Sequence, residues 1–142
     1  ERRVVLFREL LSKNPDENGL KDLTGDALVR LAAMRLQIKN RGAAAQCSDE
    51  FRMHVSPASK IYPNGAVILA QCVTLADQTL TGPERDAAVK AHGDRAVAMF
   101  AAAIDAGWNG AAFLKSNPSL QALRQRPEYR TRLEELQKAS ER

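Results

Sequence analysis

Aromatic side chains make up only 5% of this chain, which leaves few rings to build a core around. Alanine is abundant instead, and a core of small residues suits helices that approach one another closely. There are two cysteines, Cys47 and Cys72, too few for a disulfide framework or a zinc ligand set. No apolar run approaches the ~20 residues that a membrane-spanning helix needs, so no membrane contact is expected of this segment. Gly-rich phosphate loops, HExxH, GxSxG and paired CxxC motifs are all missing, and no Ser/His/Asp set stands out. The expectation is a chain that is not an enzyme and carries no cofactor. No stretch alternates apolar and polar residues long enough to read as a strand. One segment, AVILAQCVTLA, holds several β-branched residues and leaves strand open; its length and its place between helical stretches favour helix.

What is present is enough for one folded domain: 142 residues, 44% hydrophobic and 27% charged. The net charge of +4 comes from acidic and basic residues that are interspersed, which argues little for a polyanionic partner. The chain opens on Glu1 with no methionine and no signal peptide, as a piece of a longer protein would. Compartment signals can therefore lie outside it, and a cytoplasmic location is the expectation.

Helical periodicity runs almost from end to end. RRVVLFRELLSK places Val4, Phe7, Leu10 and Leu11 on one stripe, and Pro15 ends it. From Leu20 to Ile38 the stripe Leu20, Leu23, Ala27, Leu31, Met34, Ile38 recurs at helical spacing. Leu28, Ala32 and Leu36 form a second stripe, so this helix should pack on two sides. Asn40 and Gly42 are the expected stop. A shorter helix follows with Ala44, Cys47, Phe51 and His54 or Val55 on one face, then the loop SPASKIYPNG. NGAVILAQCVTLADQ reads as a helix with Ala66, Leu69, Ala70 and Val73 inward. The next helix runs from about Pro83 to Ala106, capped by Thr81 or Gly82 and closed by Gly107. Its expected stripe is Ala88, Ala91, Ala96, Met99 or Phe100, and Ala103.

The helices fall into pairs. Small residues, Ala32 and Ala70, sit beneath larger ones on the first helix of each pair, which lets antiparallel helices approach closely. This order resembles the tetratricopeptide repeat. Arg35 and Ser48 stand where that pattern wants aromatics. The pair at 62–107 exceeds the ~34-residue unit, as extra turns on each helix plus a longer loop would make it. Residues 91–133 resemble the terminal segment of tetratricopeptide arrays in bacterial multidomain signalling proteins, in particular those attached to planctomycete-type serine/threonine kinases. The matching residues are Asp94-Arg95-Ala96-Val97, Trp108, Asn117-Pro118-Ser119-Leu120, Leu123-Arg124 and Pro127-x-Tyr129. Asn117, Ser119 and Tyr129 are conservative departures.

The fold expected is all-α: a short tetratricopeptide-like solenoid of antiparallel helix pairs in a single domain, residues 1–142. Residues 1–15 give one helix of a partial repeat, 20–55 a pair, 62–107 an extended pair and 108–142 a C-terminal cap. A solenoid leaves an apolar face at its last repeat, and the cap covers it. Trp108, Leu120, Leu123 and Tyr129 are the expected plug, followed by a solvent-facing helix from Pro127.

The resemblance implies a protein or peptide partner rather than a substrate. The concave surface would be lined by Asp26, Arg30, Gln37, Asn64, Gln71 and Thr74. A structural or dimerising cap whose groove binds nothing is the alternative, and oligomeric state is left open. A nucleic-acid surface built on Arg124, Arg126, Arg130 and Arg132 is disfavoured, because Glu128, Glu134 and Glu135 lie among them. Cys47 and His54 share a helical face, so a metal site with Cys72 or His92 is conceivable, but three or four ligands would have to converge. A buried thiol and a part-exposed histidine is the ordinary reading, and no metal is expected.

Overall fold

The computed structural model describes all 142 residues, and every regular element in it is helical. The α-helices are α1 (Arg2–Lys13), α2 (Asn18–Gln37), α3 (Arg41–His54), α4 (Pro63–Thr79), α5 (Gly82–Asp105), α6 (Ala111–Ser116), α7 (Gln121–Arg124) and α8 (Pro127–Ser140). A single 3-10 turn, Pro118–Leu120, precedes α7. The ambiguous AVILAQCVTLA segment is helix, in the middle of α4.

Two pairs dominate the packing, α2 with α3 and α4 with α5. The links are short, so the paired helices must run antiparallel. Contacts agree: Arg35 reaches Ala43, while Gly25, earlier on α2, lies against Phe51 and Val55 at and just past the far end of α3. The link between α4 and α5 is Leu80 and Thr81 alone, so the extra length of this pair lies in the 24-residue α5, not in a longer loop.

The turns follow from specific residues. Lys39 takes a left-handed φ of 59°, its N–H bonds Leu36 O, and the Asn40 N–H bonds Arg35 O at 2.8 Å. This ends α2 in a Schellman motif with lysine in the place glycine usually holds. Asn40, expected as the stop, instead caps α3, its side chain accepting from the Ala43 N–H. Gly107, with φ of 100°, closes α5 the same way: Gly107 N–H bonds Ile104 O and Trp108 N–H bonds Ala103 O.

Helix α4 is the centre of the molecule, touching α2, α3, α5, the 3-10 turn and α7. Its Ala66, Leu69, Ala70, Cys72, Val73 and Ala76 are fully buried, as a helix surrounded by others requires. Small size matters at these crossings. A Cβ on Gly65 would meet the Phe51 ring and Met99 at 2.7 Å. Ser48 is buried and donates to the Gly65 carbonyl at 3.0 Å. Arg35 likewise donates to the Ala43 carbonyl at 3.1 Å.

Several stripe assignments shift. Leu23, Met34 and Ile38 are exposed, so the first α2 stripe is buried only at Leu20, Ala27 and Leu31. Leu10 is exposed on α1, whose buried residues are Val4 and Leu11. Ala91 is exposed, because the inward face of α5 is Val89, Gly93, Ala96, Val97, Phe100 and Ala103.

After Gly107 the chain folds back. The 3-10 turn and α7 pack on α4, α8 packs on α5, and α6 packs on α8. Leu120 and Leu123 are fully buried and Tyr129 and Leu133 nearly so. Each such leucine is worth roughly 1.5–3 kcal/mol of burial. Trp108 stacks on Phe100 with centroids 5.9 Å apart and meets Phe113 edge-on at 5.5 Å. Ion pairs tie the elements at their edges: Arg8 to Glu50, Arg95 to Asp49 and Arg126 to Asp77. Such partly exposed pairs add at most about 1 kcal/mol each.

Candidate functional site: a neutral groove between α2 and α4

Helices α2 and α4 run side by side in the same direction. Asp22 accepts from the Ser59 hydroxyl at a separation of 37 residues, and Gly25 lies beside Ile61. Further along, Ala33, Leu36 and Gln37 of α2 face Gln71, Thr74, Leu75 and Gln78 of α4 across a groove of about 550 Å³. Pro118 and Ser119 close its end.

Those two residues are held from below. The Asn117 side chain accepts from the Ser119 N–H at 2.9 Å, an Asx turn that starts the 3-10 turn, with Pro118 supplying the fixed φ. The Arg124 guanidinium donates to the Leu114 and Asn117 carbonyls at 2.7 and 3.0 Å. Across the groove Gln71 Nε2 donates to Ser119 Oγ at 3.3 Å. The wall is thus fixed to the floor before any ligand arrives.

Of the six concave residues expected, Gln37, Gln71 and Thr74 meet in this groove. Asn64 lies two turns earlier on the same stripe of α4, half-buried and outside the groove; Asp26 and Arg30 lie one to two turns earlier on α2, exposed and outside it. Gln78 was missed although it follows Thr74 at the stripe's own four-residue spacing. Pro118 and Ser119 carry no such signal, since only tertiary folding brings them here.

None of the nine lining residues is ionisable. Gln37, Gln71 and Gln78 each offer donors and an acceptor, and Thr74 and Ser119 offer hydroxyls. Leu36, Leu75, Pro118 and Ala33 supply the apolar part. Peptide amides need the first set and a nonpolar side chain the second. Comparison with known families, curated proteins and solved structures gives no match to this chain. The groove's own chemistry therefore carries the functional reading.

The other candidates stay apart. Cys47 and Cys72 are buried free thiols, and no three His, Cys, Asp or Glu side chains converge as a metal would require. Burial pushes Cys72 up to about 12 and raises Cys47 as well, so neither is an activated thiolate. His54 lies 3.9 Å from Glu50, whereas His92 sits on α5 with Nδ1 buried and unpartnered. Burial, with Arg41 nearby, lowers its pKa and favours its neutral form. Among the arginines, Arg124 serves backbone carbonyls, Arg126 pairs with Asp77 at 2.5 Å, and Arg132 lies 3.9 Å from Asp94. No helix is long and apolar enough to cross a membrane.

Proposed function

We propose that the chain is a non-catalytic scaffold module, a short tetratricopeptide-like array that binds a peptide segment of a partner protein in the α2–α4 groove. The observation that carries the reading is the groove itself: open, lined by three carboxamides and two hydroxyls, and braced by Pro118 and Ser119. Its position supports the repeat reading, since α2 and α4 are the first helices of their pairs. The likeness of residues 91–133 to arrays on planctomycete-type kinases supports a place in a larger bacterial signalling protein. The open groove favours this reading over a purely structural or dimerising cap.

The test is selection of a random peptide library against the protein, followed by titration of selected synthetic peptides into isotope-labelled protein. Selected peptides should shift resonances of Gln37, Gln71, Thr74, Gln78 and Ser119. Thr74→Trp, which fills the groove, should abolish binding without unfolding the domain. Failure to enrich any peptide over the Thr74→Trp protein, or shifts confined to other surfaces, would overturn the reading.

A further inference from the structure

The two ends of the molecule are finished differently. Leu120, Leu123, Tyr129 and Leu133 cover the C-terminal end. Every large apolar side chain that stays exposed, at 36% to 79%, lies before residue 54: Val5, Leu6 and Leu10 on α1, Leu23 and Met34 on α2, Ile38 just past it, and Met53 of α3, which lies apart from the others beside Arg8 and His54. Single exposed leucines are ordinary, but a set gathered at one end marks an interaction surface.

The register shows which side they occupy. On α1, Val4 and Leu11 face the core and Arg8 reaches Glu50 of α3 at 2.5 Å. At about 100° per residue, Leu6 and Leu10 lie on the side opposite Arg8. On α2, Gly25 marks the face toward α3 and α4, where Val55, Ile61 and Phe51 crowd it. Exposed Leu23, Arg30, Met34 and Ile38 lie roughly opposite Gly25, bordering the buried Ala27. Both apolar stripes therefore border the same open side of the α1–α2 contact. No helix other than α2 packs along α1, whereas α3 is flanked by α2 and α4, and α5 by α4 and α8.

We propose that this open side is a docking surface for an amphipathic helix of a partner protein, with an aliphatic stripe flanked by acidic side chains. Two adjacent helices leave a trough that a third fills by ridge-and-groove packing, as α4 does against α2 and α3. The charge follows from Arg3 beside Leu6 and Leu10, and Arg30 within the α2 stripe. Neither arginine belongs to an ion pair in the folded chain. Carboxylates on the incoming helix would complete them. The surface is separate from the α2–α4 groove and does not depend on what that groove binds.

The probe is a synthetic helix-forming peptide with leucines at three- and four-residue spacing and glutamates on the flanks. A twin carries lysines in place of the glutamates, and a third peptide has the first one's residues in scrambled order. Fluorescence anisotropy with the full chain should show saturable binding of the glutamate peptide, roughly tenfold weaker binding of the lysine twin and none of the scrambled peptide. The double substitution Leu6→Ser with Met34→Ser should weaken binding at least about tenfold, while Gln71→Ala leaves it unchanged. Reversing charge with Arg3→Glu and Arg30→Glu, both exposed and tolerant sites, should invert the preference between the twins. Equal binding of the three peptides would overturn the proposal. So would self-association of the free protein that Leu6→Ser with Met34→Ser abolishes, since the surface would then belong to a second copy.

Discussion

Tyr129 lies so close over Gly93 that a Cβ built on the glycine would fall 2.5 Å from the ring carbon Cζ. The ring is fixed there, because its hydroxyl donates to Asp94 Oδ1 at 3.0 Å, with the Lys90 carbonyl a second acceptor at 3.3 Å. Alanine inside a helix is ordinarily preferred to glycine by about 1 kcal/mol. Here an overpacking cost of roughly 1–3 kcal/mol outweighs it, so Gly93→Ala should destabilise the domain by a net of up to about 2 kcal/mol. Paired with Tyr129→Ala the sign should reverse, and Gly93→Ala should raise the melting temperature. Calorimetry on the four proteins of that cycle reads both effects; an unchanged penalty without the ring would place the strain elsewhere.

The same tyrosine sets an alkaline limit. Burial first, then Asp94, pushes its phenol up to about 12, and burial pushes the Cys72 thiol up to about 12. Both groups are held neutral in the fold, while in the unfolded chain they ionise near ~10 and ~8.5. A raised folded pKa stabilises below the unfolded value and is lost as pH climbs toward the folded one. Melting temperature should therefore begin to fall above pH ~8.5 and fall faster above ~10. Cys72→Ala should delay the onset, and Tyr129→Phe should flatten the steeper part. Identical slopes in all three proteins would sink this assignment.

Lys39 holds a left-handed conformation, φ 59°, for which a β-carbon costs about 1–2 kcal/mol relative to glycine. Its side chain is exposed and makes no hydrogen bond or ion pair that glycine would forfeit. Lys39→Gly should stabilise the domain, by roughly 1 kcal/mol once the greater freedom of glycine in the unfolded chain is subtracted. Urea unfolding at constant slope is the measurement, and a lower midpoint would contradict the capping geometry.

Ala70 and Ala96 are fully buried, at the crossings that bring α4 and α5 together with their neighbours. Replacing either with leucine inserts three heavy atoms where none fit, and each variant should lose roughly 1–3 kcal/mol. Thermal melts matching the parent for both would show that these helices are further apart.

How much of this was legible before folding depended on contrast along each helix. In α4, Ala66, Leu69, Ala70 and Val73 stand out from Gln71 and Thr74, and the expected inward residues are all buried. In α5 alanines occur on every face, so nothing in the spacing separates exposed Ala91 from buried Ala96. Nor does the spacing show that Gly93 is a seat for a ring 36 residues away. On α2 the periodicity of Leu23, Met34 and Ile38 was read as core because pattern cannot tell a face that meets its own chain from one left open. The groove divided the same way. Gln37, Gln71 and Thr74 follow helical spacing, whereas Pro118 and Ser119 reach it through a turn whose role in the sequence seemed only to plug an end.

That plug is the most severe test. Trp108 is the single tryptophan, stacked on Phe100 and edge-on to Phe113, so its fluorescence reports this end of the molecule. Ser140, in the last turn of α8, donates to the Trp108 carbonyl at 3.4 Å, which ties the end of the chain back to the start of the cap. Emission from the intact domain should be blue-shifted relative to the unfolded chain. Deleting residues 117–142 removes Leu120 and Leu123 from α4 and Tyr129 and Leu133 from α5, leaving contiguous apolar surface on both helices. The truncated protein should emit further to the red, melt at lower temperature and associate. It should also lose any peptide held in the α2–α4 groove, since Pro118 and Ser119 go with the deletion. If residues 109–142 were instead a flexible arm, the shortened chain would stay monomeric and melt with the parent. Light scattering and calorimetry on the two proteins separate these outcomes, because only a cap that packs can be missed by the helices beneath it.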